Sequence, residues 1–128
     1  MPVIKIDFIE GQINGEQKGE LIEKITKSVC EIAKCSQEVV TIIINDVAKG
    51  NWGSVGKQTE KPLYHPIVSI DMLDGKTAEQ KRALIEAITN DLCEISRCDR
   101  KGVVIIFHDI SRDDWGSGGL PKSATVQK

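Results

Sequence analysis

Apolar and polar residues alternate strictly through residues 2–9, with Ile4, Ile6 and Phe8 on one side and Lys5 and Asp7 on the other. That period of two is the signature of a half-buried strand. It returns in Val68, Ile70 and Met72 set against Ser69 and Asp71. The period then lengthens. Leu21, Ile22, Ile25, Val29, Ile32 and Ala33 recur at helical spacing, as do Leu84, Ile85, Ile88, Leu92 and Ile95. Each stripe predicts an amphipathic helix packed on a core. A third pattern comes after each helix. Val39–Asp46 and Val103–Asp109 are almost continuously apolar inside, VVTIII and VVIIF. Such runs suit central strands covered on both faces. Helices would cover one face. Something outside the chain would cover the other, which predicts an oligomer, because monomers rarely leave large apolar patches in water.

These elements come in the same order twice. The chain from Pro2 reads PVIKIDFIEGQ, then EQK and a helix, then Cys-x4-Cys, an apolar run and WGSVG. From Pro66 it reads PIVSIDMLDGK, EQK, a helix, Cys-x4-Cys, an apolar run and WGSGG. Asn14 with Gln17 and Thr77 with Gln80 have the spacing of capping boxes and mark the helix starts. Glu10-Gly11 and Asp74-Gly75 end the first strand of each copy. A strand–helix–strand crossover makes its two strands parallel and right-handed. The expected fold class is therefore α/β: two tandem β-α-β repeats forming a four-stranded sheet with two helices on one face. A repeat of about 60 residues is marginal alone, so the copies should share one core in a single pseudo-twofold domain. Its parts are repeat one at 2–57, a linker at 58–65, repeat two at 66–119 and a loose tail at 120–128.

Composition narrows the function. The 128 residues carry a net charge of −2 and are 40% hydrophobic. No bulk electrostatic attraction to nucleic acid is expected. The polar opening is no signal peptide and no apolar run approaches a membrane span, so no membrane partner is expected and the cytoplasm is the default. Cys30, Cys35, Cys93 and Cys98 lack zinc spacing and an accompanying His pair, so they read as reduced core or helix-end thiols rather than a metal site. His65 and His108 have no sequence partner for a triad or metal. Asp46 and Asp109 read as turn or helix caps. GSVG and GSGG lack the Lys-Ser/Thr of a P-loop and read as turns.

The two prolines differ in one chemical respect. Removal of Met1 would leave Pro2 with a free secondary amine, while Pro66 stays in a tertiary amide with His65. A free α-amine has a pKa near ~8 and becomes an efficient base when burial or nearby cations bring it toward neutrality.

The amino-terminal proline, the EG-loop-EQK helix and the AKG-x-W-G ending together resemble the 4-oxalocrotonate tautomerase family, across nearly the whole chain and twice over. The resemblance implies the α+β tautomerase (MIF-like) fold in a fused tandem member. It also implies a homotrimer equivalent to a hexamer of single repeats. The implied activity is cofactor-independent enol–keto tautomerisation of a 2-hydroxy-alkenoate or 2-oxo acid, with Pro2 as general base. The small carboxylate substrate is held in that family by two arginines. The matching positions here are Gln12 and Lys76 after the first strand, and Thr41 and Val104 in the second. Lysine lacks the bidentate fork of arginine. Lys76 is the remaining anchor at a matching position and Gln12 supplies hydrogen bonds without charge. Lys5, Lys49 and Arg112 are cations at nonmatching positions. The family's site aromatic matches Trp52 and Trp115, of which Trp115 is expected beside Pro2 and Trp52 beside the silent Pro66. Two other readings stay open: a superfamily dehalogenase or hydratase, and a noncatalytic trimeric scaffold or small-molecule binder.

Overall fold

The computed structural model describes residues 1–59 and 65–124. Repeat one forms β1 (Val3–Ile9), α1 (Gly15–Ala33) and β2 (Thr41–Val47), followed by a small hairpin, β3 (Gly53–Ser54) and β4 (Lys57–Gln58). Repeat two forms β5 (Ile67–Leu73), α2 (Ala78–Ser96) and β6 (Val104–Ile110), with its own hairpin, β7 (Gly116–Ser117) and β8 (Leu120–Pro121). One sheet joins them in the order β2-β1-β5-β6. Within each repeat the strands are parallel, and β1 meets β5 antiparallel.

Both helices begin where the sequence places them. Asn14 and Gln17 exchange side-chain and backbone hydrogen bonds, as do Thr77 and Gln80. These complete capping boxes satisfy donors that a helix start leaves free. Lys34 and Arg97 end the helices in the left-handed conformation (φ 56° and 58°), and the chain turns back toward the sheet. Ile4, Ile6 and Phe8 from β1 and Val68, Ile70 and Met72 from β5 pack against Leu21, Ile25, Val29, Leu84, Ile88 and Leu92. Ile22 and Ile85, at the margin of each helical stripe, are instead exposed. One residue advances a helix by about 100°, which carries a neighbour of a core position off the buried face.

The pseudo-twofold axis passes between equivalent residues. Lys5 pairs with Ser69 at the middle of the sheet. Above them, Ser28 Oγ donates to Asp91 Oδ2 at 2.7 Å between the helices. Lys24 and Glu94 form a second interhelical pair. Each helix is also tied to its own second strand, through Lys18–Asp46 and Lys81–Asp109. These two aspartates are thus ion-pair partners of the helices rather than caps.

The sheet order corrects the expectation for the apolar runs. β2 and β6 are the outer strands, and β1 and β5 are central. A β-α-β crossover sets its two strands side by side, and the join between repeats then runs through β1 and β5. The apolar runs follow from exposure on the side away from the helices: Val104 and Ile106 are each 46% exposed and Ile43 41%. This face carries polar pairs as well, Asn45 Nδ2 to Asp7 Oδ1 at 3.0 Å and His108 Nδ1 with Asp71 Oδ1 at 2.8 Å.

Two boundaries differ from the sequence reading. Gln58, assigned to the linker, belongs to the first hairpin, and residues 60–64 of that linker lie outside the described residues. Leu120–Pro121, assigned to a loose tail, forms the last strand and is followed by a 3-10 turn at Lys122–Ala124. Gly118 and Gly119 both have positive φ, the conformation a tight two-residue hairpin requires. In repeat one that turn is made by Val55 and Gly56, so a β-branched side chain, 95% exposed, sits at φ 55°.

Candidate active site

The register decides what surrounds each proline. β1 and β5 are antiparallel, with Val3 opposite Asp71 and Asp7 opposite Ile67. The start of β1 therefore lies beside the end of β5, and the loop after β5 carries Lys76. β6 runs parallel to β5, with Leu73 level with Ile110, and Asp74 N–H donates to Ile110 O at 2.9 Å. The segment leaving β6, including Arg112 and Trp115, hangs at this same end. Repeat two thus brings the end of β5, its loop and the segment after β6 to the Pro2 end, where Thr41 and Cys35 of repeat one also lie. By symmetry, repeat one brings its equivalent segments to the Pro66 end.

Both prolines are buried and tied to the sheet alike. Thr41 N–H donates to Pro2 O at 3.1 Å, and Val104 N–H donates to Pro66 O at 3.4 Å. The residues before them differ. Met1 is an exposed chain start, whereas His65 lies over Gly102. A Cβ on Gly102 would stand 1.8 Å from the His65 ring, so only glycine admits this packing. Repeat one has Val39 at the position matching Gly102.

The amino group at the Pro2 end is acidified. Burial lowers the pKa of the Met1 amine from its ordinary value of 8.0. Cys35 opposes that shift, and the positive charges of Lys76, Lys122 and Arg112 add to it. Cations near an amine disfavour its protonated form. Lys76, Arg112 and Trp115, singled out from sequence, are therefore brought to the Pro2 end. Lys122 was not, because it falls in the segment read as a loose tail. Its signal was the equivalence of Trp52 and Trp115, which aligns the residues beyond the two hairpins. Thr59 N–H donates to Trp52 O and Lys122 N–H to Trp115 O, both at 2.8 Å.

Gln12 is not brought to Pro2. It comes after β1, whose 7 residues span roughly 23 Å, and so stands at the Pro66 end. The antiparallel join puts the end of one repeat's first strand beside the start of the other's. Its side-chain Oε1 is buried without a hydrogen-bond partner. Lys49 and Trp52 are at this end too. Trp52 lines a cleft of about 280 Å³ with Asp7, Val47, Asn51, Gly53 and Ile67. Lys5 lies on the exposed face of the sheet at its centre. Near the helix ends, Cys93 Sγ stands 3.7 Å from Cys98 Sγ, and burial pushes the Cys93 thiol up to about 11. Such a thiol carries little nucleophilic thiolate near neutrality. Among the described residues, no cluster of three or more His, Cys, Asp or Glu side chains could hold a metal ion, and no helix is long and apolar enough to cross a membrane.

Two β-α-β units on one sheet, each starting with a buried proline and closing with a tryptophan hairpin, define a fused-repeat protein. The tautomerase enzyme family matches the sequence twice, at residues 2–61 and 66–125, and the chain belongs to that family. A probable tautomerase of Streptococcus agalactiae serotype III is 39% identical over 61 residues, covering 48% of this chain and 100% of the relative. The 2-hydroxymuconate tautomerase of Comamonas testosteroni is 36% identical over 55 residues, covering 43% of this chain and 87% of the relative. The fold is that of F6 fused 4-OT, solved as an asymmetric trimer (TM-score 0.89, 24% identity, 95% of this chain and 97% of that one). It is also similar to N1, a member of the cis-3-chloroacrylic acid dehalogenase family (TM-score 0.79, 23% identity, 95% and 85%). The chain is an enzyme of the tautomerase family.

Proposed function

We propose that the chain is a cofactor-independent enol–keto tautomerase. Pro2, exposed as the amino terminus when Met1 is removed, is its general base. The substrate is a small 2-hydroxy-alkenoate or 2-oxo acid. The observation that carries this reading is the gathering of Lys76, Arg112 and Trp115 by repeat two at the one proline that can carry a free amine. The neutral amine accepts the proton of the enol oxygen and returns a proton to carbon. Burial and nearby cations lower the pKa of an amine at this end, which favours the neutral form that acts as a base. The same positive charges attract the substrate carboxylate, and Trp115 supplies an apolar wall that restricts water.

We further propose that three copies assemble through the exposed apolar face of the sheet. Ile43, Ile67, Val104 and Ile106 are the exposed residues to be covered. F6 fused 4-OT was solved as a trimer, which supports this assembly.

The test is intact mass and then turnover on one tag-free sample. Loss of Met1, ketonisation of phenylenolpyruvate and loss of that activity in Pro2→Ala are expected. A retained Met1, or equal activity in Pro2→Ala, refutes the proline mechanism. Halide release from a haloacrylate would redirect the reading to a dehalogenase. A processed trimer with neither activity would make it a scaffold.

A further inference from the structure

The two ends of the molecule provide an internal control, because topology makes them equivalent and sequence does not. Lys49 at the Pro66 end corresponds to Arg112 at the Pro2 end, so one cation is common to both. The other two positions differ. Gln12 corresponds to Lys76, and Thr59 corresponds to Lys122. Both additional cations occur at the end whose proline can carry a free amine. Both equivalents at the acylated proline are neutral.

Lys122 is fixed as firmly as a residue within the hairpin. Its N–H donates to Trp115 O at 2.8 Å, directly after β8 pairs with β7. Its 3-10 turn packs on the turn of Arg112. Lys122 is half-buried and comes directly after Pro121, the last residue of β8. The backbone of Lys122 is thus anchored to Trp115, and its ammonium hangs on a flexible stem at the Pro2 end of the sheet.

We propose that Lys122 is a carboxylate-binding residue of the Pro2 site, acting with Lys76 where the matching arginine positions are Lys76 and Thr41 or Val104. This rests on the Pro2 reading and deepens it by naming a group that holds the substrate. An ammonium donates from a point charge without the planar fork of a guanidinium, so two lysines from different loops are needed to orient one carboxylate. The expected specificity is for acids whose carboxylate lies within reach of the Trp115 side of the pocket. Esters and amides of the same acids should be poor ligands.

The experiment compares wild type, Lys122→Met and Lys122→Arg, with circular dichroism and solution mass confirming an unchanged fold and assembly. Methionine keeps most of the length of the side chain, and the backbone bond to Trp115 survives in both variants. For phenylenolpyruvate, Lys122→Met should raise KM about tenfold, the effect of losing a charged hydrogen-bond partner, with kcat within about threefold. Lys122→Arg should restore most of the loss. Calorimetric binding of phenylpyruvate should weaken in parallel in Lys122→Met. An unchanged KM and unchanged binding would overturn the assignment. Failure of Pro2→Ala to alter turnover would count against the proline base, while the phenylpyruvate titration would still decide whether Lys122 holds the carboxylate.

Discussion

The Pro2 and Pro66 ends are built by the same strands, helices and hairpins, yet they present different chemistry. At one end a proline follows Met1, and Lys76, Lys122 and Arg112 bear on the Met1 amine. At the other, the proline nitrogen is acylated and the preceding His65 ring fills the space above Gly102. Repeat duplication supplies two copies of one strand-end arrangement, but an amino terminus is unique in a chain. The copy that cannot hold a basic nitrogen has neutral residues at two of the cationic positions. Position in the chain, more than the local fold, separates the two ends.

The largest effect expected from breaking this comparison lies in the prolines themselves. Pro2→Ala should reduce kcat/KM for phenylenolpyruvate at least about a hundredfold, the usual contribution of a positioned general base. Pro66→Ala should leave it within about twofold. Steady-state kinetics of the two variants decides the point, and equal losses would mean that both ends matter.

A smaller effect is expected from exchanging the cations. Lys76→Gln places the repeat-one residue at the Pro2 end and should raise KM about tenfold. Gln12→Lys, made at the opposite end, should leave KM unchanged, and a fall in KM would show that Gln12 reaches a catalytic site.

The same substitution sharpens the pH dependence. Burial and then the cations lower the pKa of the Met1 amine from its ordinary value of 8.0, and the same groups are expected to depress the Pro2 amine once Met1 is removed. Pro2 has to be neutral to accept a proton, so kcat/KM should fall as pH drops through the depressed pKa and stay level above it. Lys76→Gln removes one of the depressing charges and should move that acid limb to higher pH. A pH–rate profile that does not move would place Lys76 too far from the amine to act on it.

The smallest effect belongs to the helix contact at the pseudo-axis, where Ser28 faces Asp91. Asp91 is only 6% exposed, and burial raises its pKa above the ordinary carboxyl value of 3.8, against the pull of the Ser28 hydrogen bond. The folded state therefore favours the protonated acid. Stability from this group is present below the unfolded pKa and is lost as pH rises through the raised folded value. Asp91→Asn keeps an acceptor for Ser28 without the charge. It should raise stability at neutral pH by about 1 kcal/mol and leave it nearly unchanged in strong acid. Thermal melts across pH would show this, and destabilisation at pH 7 would mean that the charge is used by Lys24.

Much of the architecture was legible from periodicity. The alternation around Ile4 and Ile6 and around Val68 and Ile70 marked the central strands. The Asn14 and Thr77 caps fixed the helix starts because their bonds are local. The roles of β2 and β6 as outer strands were not legible, since an apolar run says that both faces want cover and not where the strand sits. Lys122 was missed for a related reason. Its place depends on a hairpin closed by Gly118 and Gly119, beyond which the short polar segment gives no periodic signal.

The sequence by itself determined the two repeats, their strand–helix–strand order and the fact that Pro2 follows Met1 whereas Pro66 follows His65, all of which are properties of residue type and covalent position. The family resemblance already set Trp115 beside Pro2, but only the tertiary structure decided where Gln12, Lys76 and Lys122 fall. The antiparallel β1–β5 join carries Lys76, Trp115 and Lys122 of repeat two to Pro2 and sends Gln12 to Pro66. Hydrogen-bond register between strands distant in the chain makes that choice, and no local pattern of residues encodes it.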